Sequence, residues 1–156
     1  MTTAASVDLQ SLVNSLPQTG PFRFIDQVIE IGDRHVTAAY RFRGDEFFYP
    51  GHFQGAPVTP GVILFEAMAQ GGVVLQVLYL TGKSQPSSSG IRLLRTVLTE
   101  VQGEIHRPVV PPARVIIRGE LVLWRAGKIR SKVVMFNESK DVIATATIAG
   151  MGVAIA

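Results

Sequence analysis

At 156 residues the chain is long enough for one domain with a real core and too short to suggest two. Hydrophobic residues make up 47% of it, charged ones 17%, and mean hydropathy is +0.28, so much of its apolar surface is expected to be buried in an oligomer or to meet a membrane. A net charge of +3 is too mild to imply nucleic acid as a partner, and the absence of cysteine excludes a disulfide scaffold, a Cys nucleophile and a Cys metal site. Residues 8–14 form a short helix ahead of Pro17, and alternation over 22–31 and 35–42 predicts two strands joined by a turn at Gly32 and Asp33. The loop 44–60 holds Pro50, Gly51, Gly55, Pro57 and Pro60, a density that implies one specified backbone path. Thr59 as N-cap and Pro60 as first helical residue then open a helix from Gly61 to about Leu80 that is apolar on nearly every face.

Thr81 and Gly82 are expected to end that helix, with a polar linker over 83–90. Strands follow over 91–105, 114–124, 129–136 and 142 to about 148, with turns at Ala126 and Gly127 and over 137–141. Two strands, one long apolar helix and three or four antiparallel strands make an α+β pattern in which a curved sheet wraps the helix, and 1–156 reads as a single domain. The run 61–80 has membrane-spanning length, but it carries Glu66, Gln70 and Gln76. A carboxylate there costs a few kcal/mol in lipid, so a core helix is the expectation and no transmembrane segment is predicted. Residues 1–10 lack a basic cluster followed by an apolar stretch, and a cytoplasmic location is expected. Between 92 and 132 basic residues outnumber acidic ones nine to three, which suits either solvated strand faces or a surface for an acidic partner.

The segment from Pro50 through Gly51, His52, Phe53, Gln54, Gly55, Ala56, Pro57, Val58, Thr59, Pro60 and Gly61, continuing to Glu66, Ala67, Met68, Ala69 and Gln70, resembles the signature of the FabZ-type 3-hydroxyacyl-[acyl carrier protein] dehydratases. Weaker similarity extends upstream through Leu16-Pro17 and Phe24-Ile25-Asp26, and downstream through 107–111. The resemblance implies a hot-dog fold and elimination of water from a 3-hydroxyacyl thioester to give the trans-2-enoyl product. It also implies that the Gly61 amide binds the thioester oxygen, that the Val58 carbonyl orients the His52 ring, and that His and Glu come from different subunits of a dimer. The acyl group would arrive on the phosphopantetheine arm of acyl carrier protein, with no metal or other cofactor. A homodimer or larger oligomer is expected, a trimer of dimers or a heterodimer being further options.

The chemistry fits these residue types. Elimination needs a base for a C2 proton, an acid for the departing hydroxyl and donors for charge on the carbonyl. Neutral imidazole at His52 serves as the base, and Glu66, on an apolar helix, is expected to be desolvated enough to hold a proton for the leaving group. The helix start at Gly61 offers orphan amides. Gln70, one turn after Glu66, falls on the same face and can hold the carboxylate or touch substrate, and Phe53 is expected to line the acyl site. His35 and His106 gather no ligand set and are taken as structural.

Gln54 stands where the family usually has Pro, and Thr59 where Met is common. A Thr there can cap the helix through the same amides that should greet the substrate, and the sequence leaves that competition open. A sister group of dehydratase-isomerases has Asp in place of Glu66, while residues 109–114 resemble that group, so isomerisation stays an option. A hot-dog thioesterase and a non-catalytic acyl-binding subunit of a heteromeric dehydratase remain alternatives, since a fold does not fix function.

Overall fold

The computed structural model of the protein describes residues 7–84 and 94–154. A short helix α1 (Leu9–Asn14) starts at Asp8, whose carboxylate accepts from the Gln10 amide at 3.1 Å. Strands β1 (Gln27–Ile31), β2 (His35–Phe42), β3 (Leu94–Ile105), β4 (Ala113–Arg125), β5 (Lys128–Phe136) and β6 (Val142–Ala154) form one antiparallel sheet in the order β1-β2-β4-β5-β6-β3. One face of β2 and of the first half of β4 is buried, through Val36, Ala38, Tyr40 and Phe42 on one strand and Val115, Ile117 and Gly119 on the other. That face curves over α2 (Gly61–Ala69), a π-helical turn (Gln70–Val74) and α3 (Leu75–Ser84). The helix is long and apolar enough to cross a membrane, yet 72% of its apolar window is buried within the protein, as a core helix requires.

The strand expected over 22–31 begins only at Gln27. Residues 22–25 instead run against the helix, where the Phe24 amide is satisfied by the Gln70 side chain at 2.8 Å rather than by a ladder partner. The helix also runs past Thr81 and Gly82 to Ser84, because the Thr81 hydroxyl bonds the Val77 carbonyl at 2.6 Å and takes no part in a stop. Strand β6 extends beyond Ile148 because its pairing with both β5 and β3 continues. The linker expected over 83–90 lies, from residue 85, outside the described residues, as do residues 91–93 of the strand expected from 91. Ala126 (φ 51°) and Gly127 (φ 78°) make the expected tight β4-β5 turn in left-handed conformations.

Backbone proximity decides where the helix crosses the sheet. A Cβ on Gly72 would lie 2.7 Å from Val133 methyls, and one on Gly119 would lie 2.5 Å from the Gly72 carbonyl oxygen. These two glycines let the π-helical turn lie on β4 and β5 with no side chain between. Gly119→Ala would push the helix off the sheet and is expected to cost about 1–3 kcal/mol, the scale of core overpacking. A chemical denaturation midpoint equal to wild type would refute that packing.

Candidate active site

The site is assembled where the start of α2, the loop 44–60 and the segment 105–109 meet at one end of the sheet. The loop leaves β2 through a carboxylate anchor. Glu46 accepts from the amides of Arg43 (2.7 Å) and Gly44 (2.8 Å) and from the Tyr40 hydroxyl (3.1 Å). Burial alone would raise the Glu46 carboxyl, but these donors outweigh it and hold the group below the ordinary carboxylate range. A single 3₁₀ turn (Tyr49–Gly51) follows, and the His52 amide bonds the Tyr49 carbonyl at 3.0 Å. The chain then doubles back: Phe53 and Ala56 exchange backbone bonds, and the Val58 amide returns to the His52 carbonyl at 2.9 Å. The Gly- and Pro-rich composition thus encodes a closed turn that brings residue 58 beside residue 52.

That closure sets the state of the imidazole. His52 Nδ1 lies 2.8 Å from the Val58 carbonyl oxygen. A carbonyl only accepts, so Nδ1 carries the hydrogen, and in the neutral ring Nε2 is the bare nitrogen. Phe53 stacks on the ring with centroids 4.2 Å apart and is itself 57% exposed, an apolar wall beside that nitrogen.

The helix start differs from the expectation in one respect. Thr59 is not its N-cap: α2 begins at Gly61, and Pro60 occupies the cap without a side-chain bond. The amides of Ile63 and Leu64 turn back to the Pro60 carbonyl at 2.9 and 3.2 Å. Those of Gly61 and Val62 therefore have no acceptor among the described residues. Gly61 lies against the tip of Ile105, whose Cδ1 would be 2.7 Å from an added Cβ.

Glu66 projects from α2 one turn later, half-buried rather than sequestered as the apolar helix suggested. Gln70 Nε2 donates to Glu66 Oε1 at 3.0 Å and to the Phe22 carbonyl at 2.9 Å, while its Oε1 accepts from the Phe24 amide. The two backbone groups fix which way the amide points, so Glu66 meets a donor at one oxygen and keeps the other for an incoming group. Gln70, placed among the substrate-binding candidates, is fully buried with its polar atoms engaged, and it supports Glu66 instead of facing a ligand. Gln70→Leu strands the buried Phe24 amide and is expected to cost about 2 kcal/mol, readable as a lower denaturation midpoint. Unchanged stability would mean that this bond carries nothing.

No hydrogen bond among the described residues joins His52 to Glu66. Two clefts of this chain, about 460 Å³ over Gln102, Lys132 and Thr147 and about 500 Å³ over Arg114, Ile116 and Phe136, lie on the outer face of the sheet and include neither residue. His35 pairs with Glu30 at 3.0 Å and His106 lies 3.4 Å from the Thr145 hydroxyl, and among the described residues no three acidic or histidine groups gather as a metal site would require.

Residues 16–146 match the FabA-like domain family. The chain belongs to this family. It is 35% identical over 124 residues to the 3-hydroxyacyl-[acyl-carrier-protein] dehydratase FabZ of Thermus thermophilus, an alignment covering 78% of this chain and 80% of that protein. It is 34% identical over 116 residues to the bifunctional enzyme LpxC/FabZ of Porphyromonas gingivalis, covering 74% of this chain but only 24% of that longer protein. Among solved structures, the dehydratase heterocomplex ApeI:P from Xenorhabdus doucetiae superposes with a TM-score of 0.74 over 91% of this chain and 90% of the other, at 17% identity. That likeness establishes the fold, and the sheet wrapped on one long helix is the hot-dog fold of the FabA-like family.

Two contributors to the site carry no motif of their own. Tyr49 lies in the turn-rich loop three residues before His52, and its hydroxyl meets the Thr59 hydroxyl at 2.6 Å. The segment 22–24 gives its backbone to Gln70, an arrangement set by edge-on packing of Phe24 against Phe22, Tyr40 and Phe48.

Proposed function

We propose that this FabA-like chain removes water from 3-hydroxyacyl thioesters, with His52 as base and Glu66 as acid. The observation that carries the assignment of roles is the His52 Nδ1 contact to the Val58 carbonyl, which leaves Nε2 bare, in a chain whose Gly61 and Val62 amides are unfilled among the described residues. Nε2 takes the C2 proton, and the electron pair forms the C2–C3 double bond as the C3–O bond breaks. The departing hydroxyl leaves as water with the proton of Glu66. Negative charge that builds on the thioester oxygen meets the Gly61 amide, where the helix dipole also favours it. His52 then returns its proton to Glu66 directly or through water, restoring both groups. Val58 orients the ring, Gln70 positions the carboxyl, and Phe53 lines the acyl path.

The substrate is proposed to arrive on the phosphopantetheine arm of acyl carrier protein, in fatty-acid or related polyene or polyketide synthesis, and the chain to act in the cytoplasm as one domain. A homodimer completes the site in this reading, His52 of one copy facing Glu66 of the other. Support comes from β3, a twelve-residue edge strand carrying exposed Val97 (44%) and Leu98 (51%), because an unpaired apolar edge invites another strand. Phe22, Phe53, Val62 and Val110, all exposed, add apolar surface around the helix start. A different subunit on the same surface is the second assembly, favoured by the heterocomplex named for the ApeI:P structure.

The test is turnover of a series of 3-hydroxyacyl thioesters of graded length by the purified protein, followed by absorbance of the conjugated enoyl product. Free thiol released without enoyl product would replace dehydration by thioester hydrolysis. No turnover alone, with turnover restored by a second subunit, would assign the chain to a heteromer.

A further inference from the structure

Thr59 sits two residues before Gly61, the spacing at which a threonine hydroxyl bonds the amide of residue i+2 as an ST-turn. In this chain such a bond would occupy the amide that the dehydratase reading reserves for the thioester oxygen. The structure holds the hydroxyl elsewhere. Thr59 Oγ1 lies 2.6 Å from the Tyr49 hydroxyl, and both residues are only 3% exposed, so water has no access to replace either partner. Burial pushes the Tyr49 phenol up to about 12, the Thr59 bond opposing this in part, so Tyr49 keeps its hydrogen throughout the neutral range. The Thr59 amide is tied separately to the Val109 carbonyl at 2.8 Å, which fixes the backbone while leaving the side chain to be placed by Tyr49.

We propose that Tyr49 is a positioning residue whose hydroxyl holds Thr59 away from the Gly61 amide and so keeps the helix start open for the thioester oxygen. The proposal rests on the dehydratase reading and adds to it a restraint built from two residues outside the catalytic pair. Tyr49 also accepts the His52 amide through its own carbonyl, so the residue that supports the base from behind also guards the oxyanion donor. Without the Tyr49 hydroxyl, Thr59 is released to accept from the amide two residues on, the ST-turn its position favours, and every turnover then has to displace it.

The experiment uses the full-length protein and a 3-hydroxyacyl thioester of N-acetylcysteamine, with kcat, KM and thermal melting recorded for each variant. Tyr49→Phe is expected to lower kcat by about tenfold, because an existing hydrogen bond must be exchanged in the transition state, with KM moved much less. Tyr49→Phe/Thr59→Val is expected to return kcat to within about threefold of wild type, since no hydroxyl remains to compete. A purely structural pair would move melting temperature in these variants and leave kcat alone. Equal kcat in Tyr49→Phe and wild type, or a double variant no faster than Tyr49→Phe, would overturn the proposal. Thr59→Val by itself keeps Tyr49 and tests the proposal even if Tyr49→Phe does not fold: a tenfold loss of kcat would mean that the Thr59 hydroxyl is needed rather than restrained, and would overturn it. Failure of the dehydratase reading appears in the wild type, as absence of enoyl product, whereas failure of this inference appears only in the variants.

Discussion

His52→Ala is expected to lower kcat for enoyl formation by about 10²–10⁴-fold, the range that a positioned general base supplies. The ring is half-buried and its side-chain bond to the Val58 carbonyl at 2.8 Å tethers a turn already closed by backbone bonds between residues 49, 52, 53, 56 and 58. Loss of that single bond is worth about 1 kcal/mol, so the variant should fold. Activity and stability therefore separate: a large fall in kcat with a melting temperature close to wild type. His52→Asn sharpens the test, because its side-chain amide can still meet Val58 but cannot take the C2 proton. Turnover at the wild-type rate in either variant would remove His52 from the chemistry.

Glu66→Gln is expected to cost a comparable factor, about 10²–10⁴, through loss of the proton donor to the leaving hydroxyl. Gln is close in size and can accept from Gln70 Nε2 through its carbonyl oxygen, so packing is preserved while the transferable proton is gone. The two variants together also test the assembly. Neither chain alone has a complete pair, but if His52 and Glu66 meet across two copies, a mixed dimer of His52→Ala and Glu66→Gln holds one intact site and one doubly defective one. Random remixing then restores about a quarter of wild-type activity, as twofold symmetry dictates. No recovery from a mixture shown to exchange subunits would place both groups in one chain.

Much of the site was legible because short-range chemistry encodes it. A Gly/Pro-dense loop must follow a specified path, and it does, returning Val58 to His52. The i+4 spacing of Glu66 and Gln70 puts them on one helix face, and the 3.0 Å bond follows. Thr59 was misjudged for a non-local reason. Its local pattern predicts a cap, but its hydroxyl finds Tyr49, ten residues back, inside a buried pocket formed only when the loop closes. For Gln70 the bond to Glu66 was legible but its other partners were not, since nothing near it in the chain announces that residues 22–24 will lie along the helix and use its amide.

From the chain alone came the α+β pattern, the buried central helix and the antiparallel strands, which rest on periodicity, and the two groups assigned to proton transfer, which rest on the resemblance of residues 50–70 to the dehydratase signature. Folding decided how each group is presented: loop closure onto Val58 leaves Nε2 of His52 bare, and the backbone of Phe22 and Phe24 fixes the direction of the Gln70 amide against Glu66. It also decided that Glu66 is only half-buried in one chain, although its helix is apolar on nearly every face. Burial and hydrogen-bond direction belong to the neighbours a residue acquires in three dimensions, and the order of residues along the chain does not contain them.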